Sequence, residues 1–216
     1  MRFTLKKTIL YVGGLLLLGL TVSLMLRTNL GMSSWDACFK NLHDGIPLDY
    51  RYLNSIAAGI LTPLAYLAQK KKFTAWVLFP VGISFFIGAE IDLIIAYGVI
   101  PDIAAAPWYW NWIYLAAAVA LCAVGLNVIA WCRYPMPALD ELCLALAAIF
   151  KVSHGRGKLY GEILALLLAV TTGLAFGYAD VRFNIGLATL VFAFAIGPVI
   201  DLIRKPLRRM LEAIAS

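Results

Sequence analysis

Six apolar runs, each long enough to cross a bilayer, follow one another along this chain with only short polar breaks between them. They fall near 8–28, 51–69, 73–98, 108–132, 158–179 and 183–203. A helix rises about 1.5 Å per residue, so about 20 residues cross the roughly 30 Å of hydrocarbon in a bilayer. In lipid the backbone must satisfy its own hydrogen bonds, so spans of this kind are helical. The chain is therefore expected to be an all-α polytopic membrane protein with six transmembrane helices. Composition agrees, because only 14% of the 216 residues are charged, against roughly 25% in soluble domains. Pro63 and Pro80 lie inside expected spans and should kink them.

The basic residues fix an expected orientation. With the N-terminus inside, Arg2, Lys6, Lys7, Lys70, Lys71, Lys72, Arg133, Lys151, Arg156, Lys158, Arg204, Lys205, Arg208 and Arg209 are cytoplasmic. Only Arg27, Lys40, Arg51 and Arg182 fall outside. That bias is the positive-inside pattern, and both termini become cytoplasmic. Because these residues sit in short clusters between spans, the net charge of +6 reads as topology and not as nucleic-acid binding. Lys6 and Lys7 before Ile9–Leu26 resemble a signal peptide, but the run is too long and no A-x-A site follows, so a retained first span is expected. Trp108, Tyr109, Trp110, Trp112 and Tyr114 form an aromatic belt at the outer boundary. In 204–216, Leu207, Met210, Leu211 and Ile214 recur at helical spacing opposite Arg208 and Arg209, as in a helix lying on the anionic inner leaflet.

The two halves echo each other. Gly19-Leu20-Thr21-Val22 returns as Gly125-Leu126-Asn127-Val128, and Met32-Ser33-Ser34-Trp35-Asp36 as Met136-Pro137-Ala138-Leu139-Asp140. Ile87-Gly88-Ala89-Glu90-Ile91-Asp92 returns as Ile196-Gly197-Pro198-Val199-Ile200-Asp201. Three spans per half invert the second copy. The expected organisation is a first repeat over 1–103, an inverted second repeat over 104–203 and a cytoplasmic tail over 204–216. Inverted repeats are a transporter architecture, with sites where the repeats meet.

Each half carries a short amphipathic helix after its first span, over 33–44 and 138–151. About 12 residues cannot cross, so each lies flat or re-enters. Ser33 and Asp36 form a capping box, Gly45 suits the far end, and Pro137 suits a first turn. Asp36 and Asp140 are either simple caps or part of a site on a helix N-terminus, whose dipole favours an anionic or polar solute.

Charges at membrane depth need a reason. Glu162 enters span five, Glu90 and Asp92 lie in span three, and Asp201 ends span six. Arg27 either snorkels or pairs with Asp36 across the Asn29-Leu30-Gly31 turn. Small residues mark expected close helix contacts: Ala169, Gly173 and Gly177, Ser55 and Gly59, and Ser84 and Gly88. Cys38, Cys122, Cys132 and Cys143 read as buried thiols, and His43 and His154 have no partner at metal-ligand spacing. The sequence holds none of the common hydrolase, nucleotide or zinc motifs, so neither an enzyme nor a cofactor is expected.

Arg27 with Leu30-Gly31-Met32-Ser33-Ser34-Trp35-Asp36, Glu162, and Gly186-x-x-Thr189-x-x-x-Ala193-x-x-Ile196-Gly197-Pro198 resemble the YczE/YitT-like bacterial membrane proteins. Ser34 stands where that pattern has proline, and Tyr134-Pro135-Met136-Pro137 where it often has a glycine-rich turn. The resemblance implies a bacterial inner-membrane protein and supplies no substrate. The candidate site is Arg27, Ser33, Ser34, Trp35, Asp36, Glu90, Asp140 and Glu162, for a small polar or anionic solute. The leading expectation is a transporter. An accessory or assembly protein, with a protein partner or as a homo-oligomer, and an enzyme or a substrate-binding subunit of a larger transporter, are the alternatives.

Overall fold

The computed structural model describes residues 4–28, 30–46, 48–71, 75–103, 105–176 and 184–215. Arg2, Asn29, Lys72, Gly177 and Arg182 lie outside the described residues. Every regular element described is helical, as expected of long apolar runs without the strict apolar–polar alternation of a strand. In order they are α1 (Leu5–Arg27), α2 (Ser34–Gly45), α3 (Tyr50–Ala68), α4 (Phe79–Ala96), α5 (Tyr109–Cys132), α6 (Ala138–Phe150), α7 (His154–Ala175) and α8 (Leu187–Ala215). A short 3-10 turn, Ala75–Leu78, precedes α4.

Among the described residues, α1, α4, α5, α7 and α8 are long and apolar enough to cross a membrane. The second expected span is α3, whose first turns carry Arg51, Asn54 and Ser55. It presents Tyr52, Ile56, Ile60, Leu64 and Leu67 outward. Pro63 is inside α3, but Pro80 lies in the first turn of α4, where its missing N–H is harmless. Span five begins earlier than expected, at His154, because Ser153 accepts from Arg156 N–H at 3.3 Å and caps it. The tail is helical, but it continues α8 through Pro198 and Pro206 instead of forming a separate helix. Leu211 of that tail is buried against the core with Leu207 packed on it, while Met210 and Ile214 are exposed.

The main core joins α1, α4, α5 and α8 through residues such as Leu18, Ile87, Leu126 and Ile196. Gly14 and Gly125 let α1 and α5 touch, since a Cβ on Gly125 would lie 2.9 Å from the Gly14 carbonyl oxygen. Asn127 Nδ2 donates to Ala123 O at 2.9 Å and to Ile200 O at 3.0 Å, tying α5 to α8. Around this core α3 packs on α4 and α6, and α7 on α8, α6 and α2. α4 also lies on α1, and α2 meets α3 and α8.

Small residues fit some of these contacts. Gly88 lies against the Arg51 backbone and Gly197 against the Gly155 carbonyl. Ala169 and Gly173 are buried in α7. Gly59 faces open space, so Ser55 and Gly59 mark no close contact.

Candidate functional site

The short helices set the site. Ser33 precedes α2 in extended conformation, its Oγ accepting from Asp36 N–H at 3.3 Å while its hydroxyl donates to the Asp36 carboxylate. Ser33 therefore caps α2 and holds Asp36 as the third residue of that helix. Pro137 is the N-cap of α6, and Asp140 is likewise the third residue of that helix. The first turns of α2 and α6 open on one cavity of about 90 Å³. Trp35, Asp36, Leu139 and Asp140 line it from these turns, and Lys158 and Glu162 from α7. Thr21, Asn54, Ser84, Cys122 and Phe192 bring in α1, α3, α4, α5 and α8. Each of the eight helices thus contributes a wall residue.

The charges in this cavity are almost wholly out of solvent. Lys158 is 6% exposed and Glu162 1%. Lys158 Nζ lies 2.8 Å from Asp140 Oδ1 and 3.2 Å from Glu162 Oε1. Among the described residues, Glu162 Oε2 and the Trp35 indole N–H have no hydrogen-bond partner. Two carboxylates therefore share one ammonium, with the Ser33-bonded Asp36 in the same wall, and among the described residues two polar atoms there are unsatisfied. Buried polar groups are ordinarily paired, and the meeting of buried charge with these two unpaired atoms makes the cavity the candidate site.

Six of the eight sequence candidates are in or beside this cavity, and two are elsewhere. Ser33, Trp35, Asp36, Asp140 and Glu162 line it. Ser34 is fully buried one residue away but is not part of the wall. Glu90 points to α1, its carboxylate covering Gly19. Arg27 does not reach Asp36; its guanidinium is 3.7 Å from Asp102. Asp201 accepts from Ser153 Oγ at 2.6 Å and Gly155 N–H at 3.2 Å, so it caps α7. Asp92 lies 3.8 Å from Arg51 at the start of α3.

Two acidic or basic residues escaped the sequence reading. The charge pattern predicts a cytoplasmic loop position for Lys158, whereas it is buried inside the protein. Its signal was the i, i+4 spacing to Glu162 at the head of an apolar span, which places both on one helix face. Glu141 is buried, accepts from Gln69 Nε2 at 2.8 Å and pairs with Lys71, joining α6 to the end of α3.

Apolar helices around a buried charged cavity define a multi-pass integral membrane protein. The chain belongs to a family of unknown function, DUF6198, whose model matches residues 5–205. No curated protein and no solved structure matches it.

Proposed function

We propose that this protein is a small-solute permease of the bacterial inner membrane, without catalytic activity, built from two inverted repeats that hold the solute between them. In this reading α3 is the sixth span, 1–103 and 104–203 are the repeats, both termini are cytoplasmic, and 204–216 lies at the inner leaflet. Kinship with the YczE/YitT-like proteins is part of the same proposal. The observation that carries it is the cavity, to which every helix contributes and in which Asp36, Asp140, Lys158 and Glu162 are buried together.

Packing supports the repeats. Exchange the halves, and α1 on α4 becomes α5 on α8, α3 on α4 becomes α7 on α8, and α2 on α7 becomes α6 on α3. The weaker contacts, α2 with α8 and α4 with α6, exchange too. A two-fold relation produces this pattern. If it is an in-plane axis, Ile46→Cys is labelled by an impermeant maleimide in intact cells and Arg156→Cys only after permeabilisation. Native thiols are buried, so they give little background. Labelling of both from one face would refute the inversion.

Charge supports a cationic solute over the anionic one expected from helix dipoles alone. The two helix N-termini supply roughly half a positive charge each. Added to Lys158, they leave the three carboxylates about one charge short of neutrality. The volume restricts the guest to a few heavy atoms. Methylammonium or guanidinium at millimolar concentration should raise the melting temperature of purified protein, and Asp36→Asn should remove the effect. Proteoliposomes should then accumulate the same cation in an Asp36-dependent way. Stabilisation by acetate or phosphate, with none by either cation, would overturn this assignment.

A further inference from the structure

At one end of the bundle, away from the charged cavity, a second cavity of about 340 Å³ opens between α1, α5 and α8. Its wall holds four cations, Lys7, Arg133, Arg204 and Arg208. Its only carboxylate, Glu212, is taken by Arg208 at 2.7 Å. Lys7 sits over the Trp131 ring, 5.5 Å from its centroid. Among the described residues no carboxylate lies within ion-pair distance of Arg133 or Arg204. The floor is apolar, with Ala130, Leu207 and the buried Leu211.

The place of this cavity matters as much as its charge. The apolar stretches of α1 and α5 end beside it, and α8 becomes basic there at Arg204. That is the depth at which a spanning helix leaves hydrocarbon for headgroups. Arg133 follows α5 in left-handed conformation, φ 59°, where glycine is the usual residue. An apolar floor beneath a rim of four cations and one carboxylate, at this depth, complements an anionic headgroup with its glycerol and first methylenes.

We infer that this cavity is a binding site for the phosphate of an anionic membrane phospholipid. Arg133 and Arg204 hold the phosphate oxygens, Lys7 adds charge from the opposite wall, and Leu207 and Leu211 meet the chains. Inorganic phosphate shares the headgroup chemistry but not the apolar contact. The inference is independent of what the charged cavity carries.

Native mass spectrometry of the full chain in mild detergent, titrated with phosphatidylglycerol, phosphatidylcholine or inorganic phosphate, tests it. Phosphatidylglycerol should be retained, phosphatidylcholine much less, and millimolar phosphate should not displace the bound lipid. At about 1 kcal/mol per basic residue near a headgroup, Arg133→Gln with Arg204→Gln should weaken retention about thirtyfold. Lys205→Gln with Arg209→Gln removes equal charge outside the cavity and should change little. Equal losses in the two double variants, equal retention of phosphatidylcholine, or displacement by phosphate would each overturn the site. Arg204→Gln alone, exposed on α8, should show the same direction, and helicity by circular dichroism confirms that each variant is folded.

Discussion

Lys158→Met is expected to be the most damaging single substitution in the chain. The ammonium is the only cation in the central cavity and touches Asp140 and Glu162. Methionine fills similar volume, so packing is largely kept while the charge is lost. Removing one partner of a buried ion pair destabilises by about 3–5 kcal/mol, because the remaining charge is left uncompensated. Here two carboxylates lose their partner and Asp36 stands close by. In a protein of this size that corresponds to a fall in melting temperature of roughly 10 °C or more. Asp140→Asn in the Lys158→Met background should recover part of the loss, although the same change alone is harmful. That non-additivity is the signature of a shared charge network. A Lys158→Met protein melting within a degree of wild type would show that the ammonium does not hold the carboxylates together.

Gly186→Ala should be nearly as severe, by a different mechanism. Before α8 the chain passes over the Leu30–Gly31 turn with backbone touching backbone. Ala188 N–H donates to Leu30 O at 2.8 Å and Met32 N–H to Asn184 O at 3.4 Å. A Cβ on Gly186 would fall on the Leu30 carbonyl oxygen. One on Gly31, which has φ +101°, would lie 2.5 Å from Gly186 N. No side chain can rotate away from either clash, so the two segments must part and lose their hydrogen bonds. The expected loss is about 3 kcal/mol, measured as reversible unfolding in detergent or as retained fold after heating. Gly59→Ala is the control. Its Cβ meets open space on α3, so the change should be neutral or stabilising by up to about 1 kcal/mol.

The helices were legible because lipid imposes one length and one secondary structure on each apolar run. The two short helices were equally plain, since their apolar stripes and the Ser33–Asp36 cap are local patterns. What could not be read locally was depth. Lys158 looked like a loop lysine because Gly155, Arg156 and Gly157 precede it, yet α7 already starts at His154. Ser153 and Asp201, which begin that helix, are far apart in sequence. Glu90 and Arg27 were chosen as charges near the membrane interior, but direction around a helix decides whether such a group meets a cavity or a neighbouring helix. Glu90 faces Gly19, and Arg27 finds Asp102 beyond the end of α4. The contact of Leu30–Gly31 with Gly186 joins two of the stretches that carry the family resemblance, a proximity that separation along the chain conceals.

The spacing that relates Asp36 to Asp140 also relates Asn54 to Lys158 and Ala58 to Glu162. Asn54 and Lys158 line the same cavity from α3 and α7, but α3 brings an amide and α7 an ion pair. Halves that were chemically alike would let a rocking molecule rest evenly toward either compartment. Asp140, Lys158 and Glu162 lie in the second half against Asp36 in the first, so in the proposed permease two resting orientations would differ in energy before any guest arrives. Under the permease proposal such a molecule would idle with one door favoured, and exchanging Asn54 and Lys158 would be the way to reverse its preference.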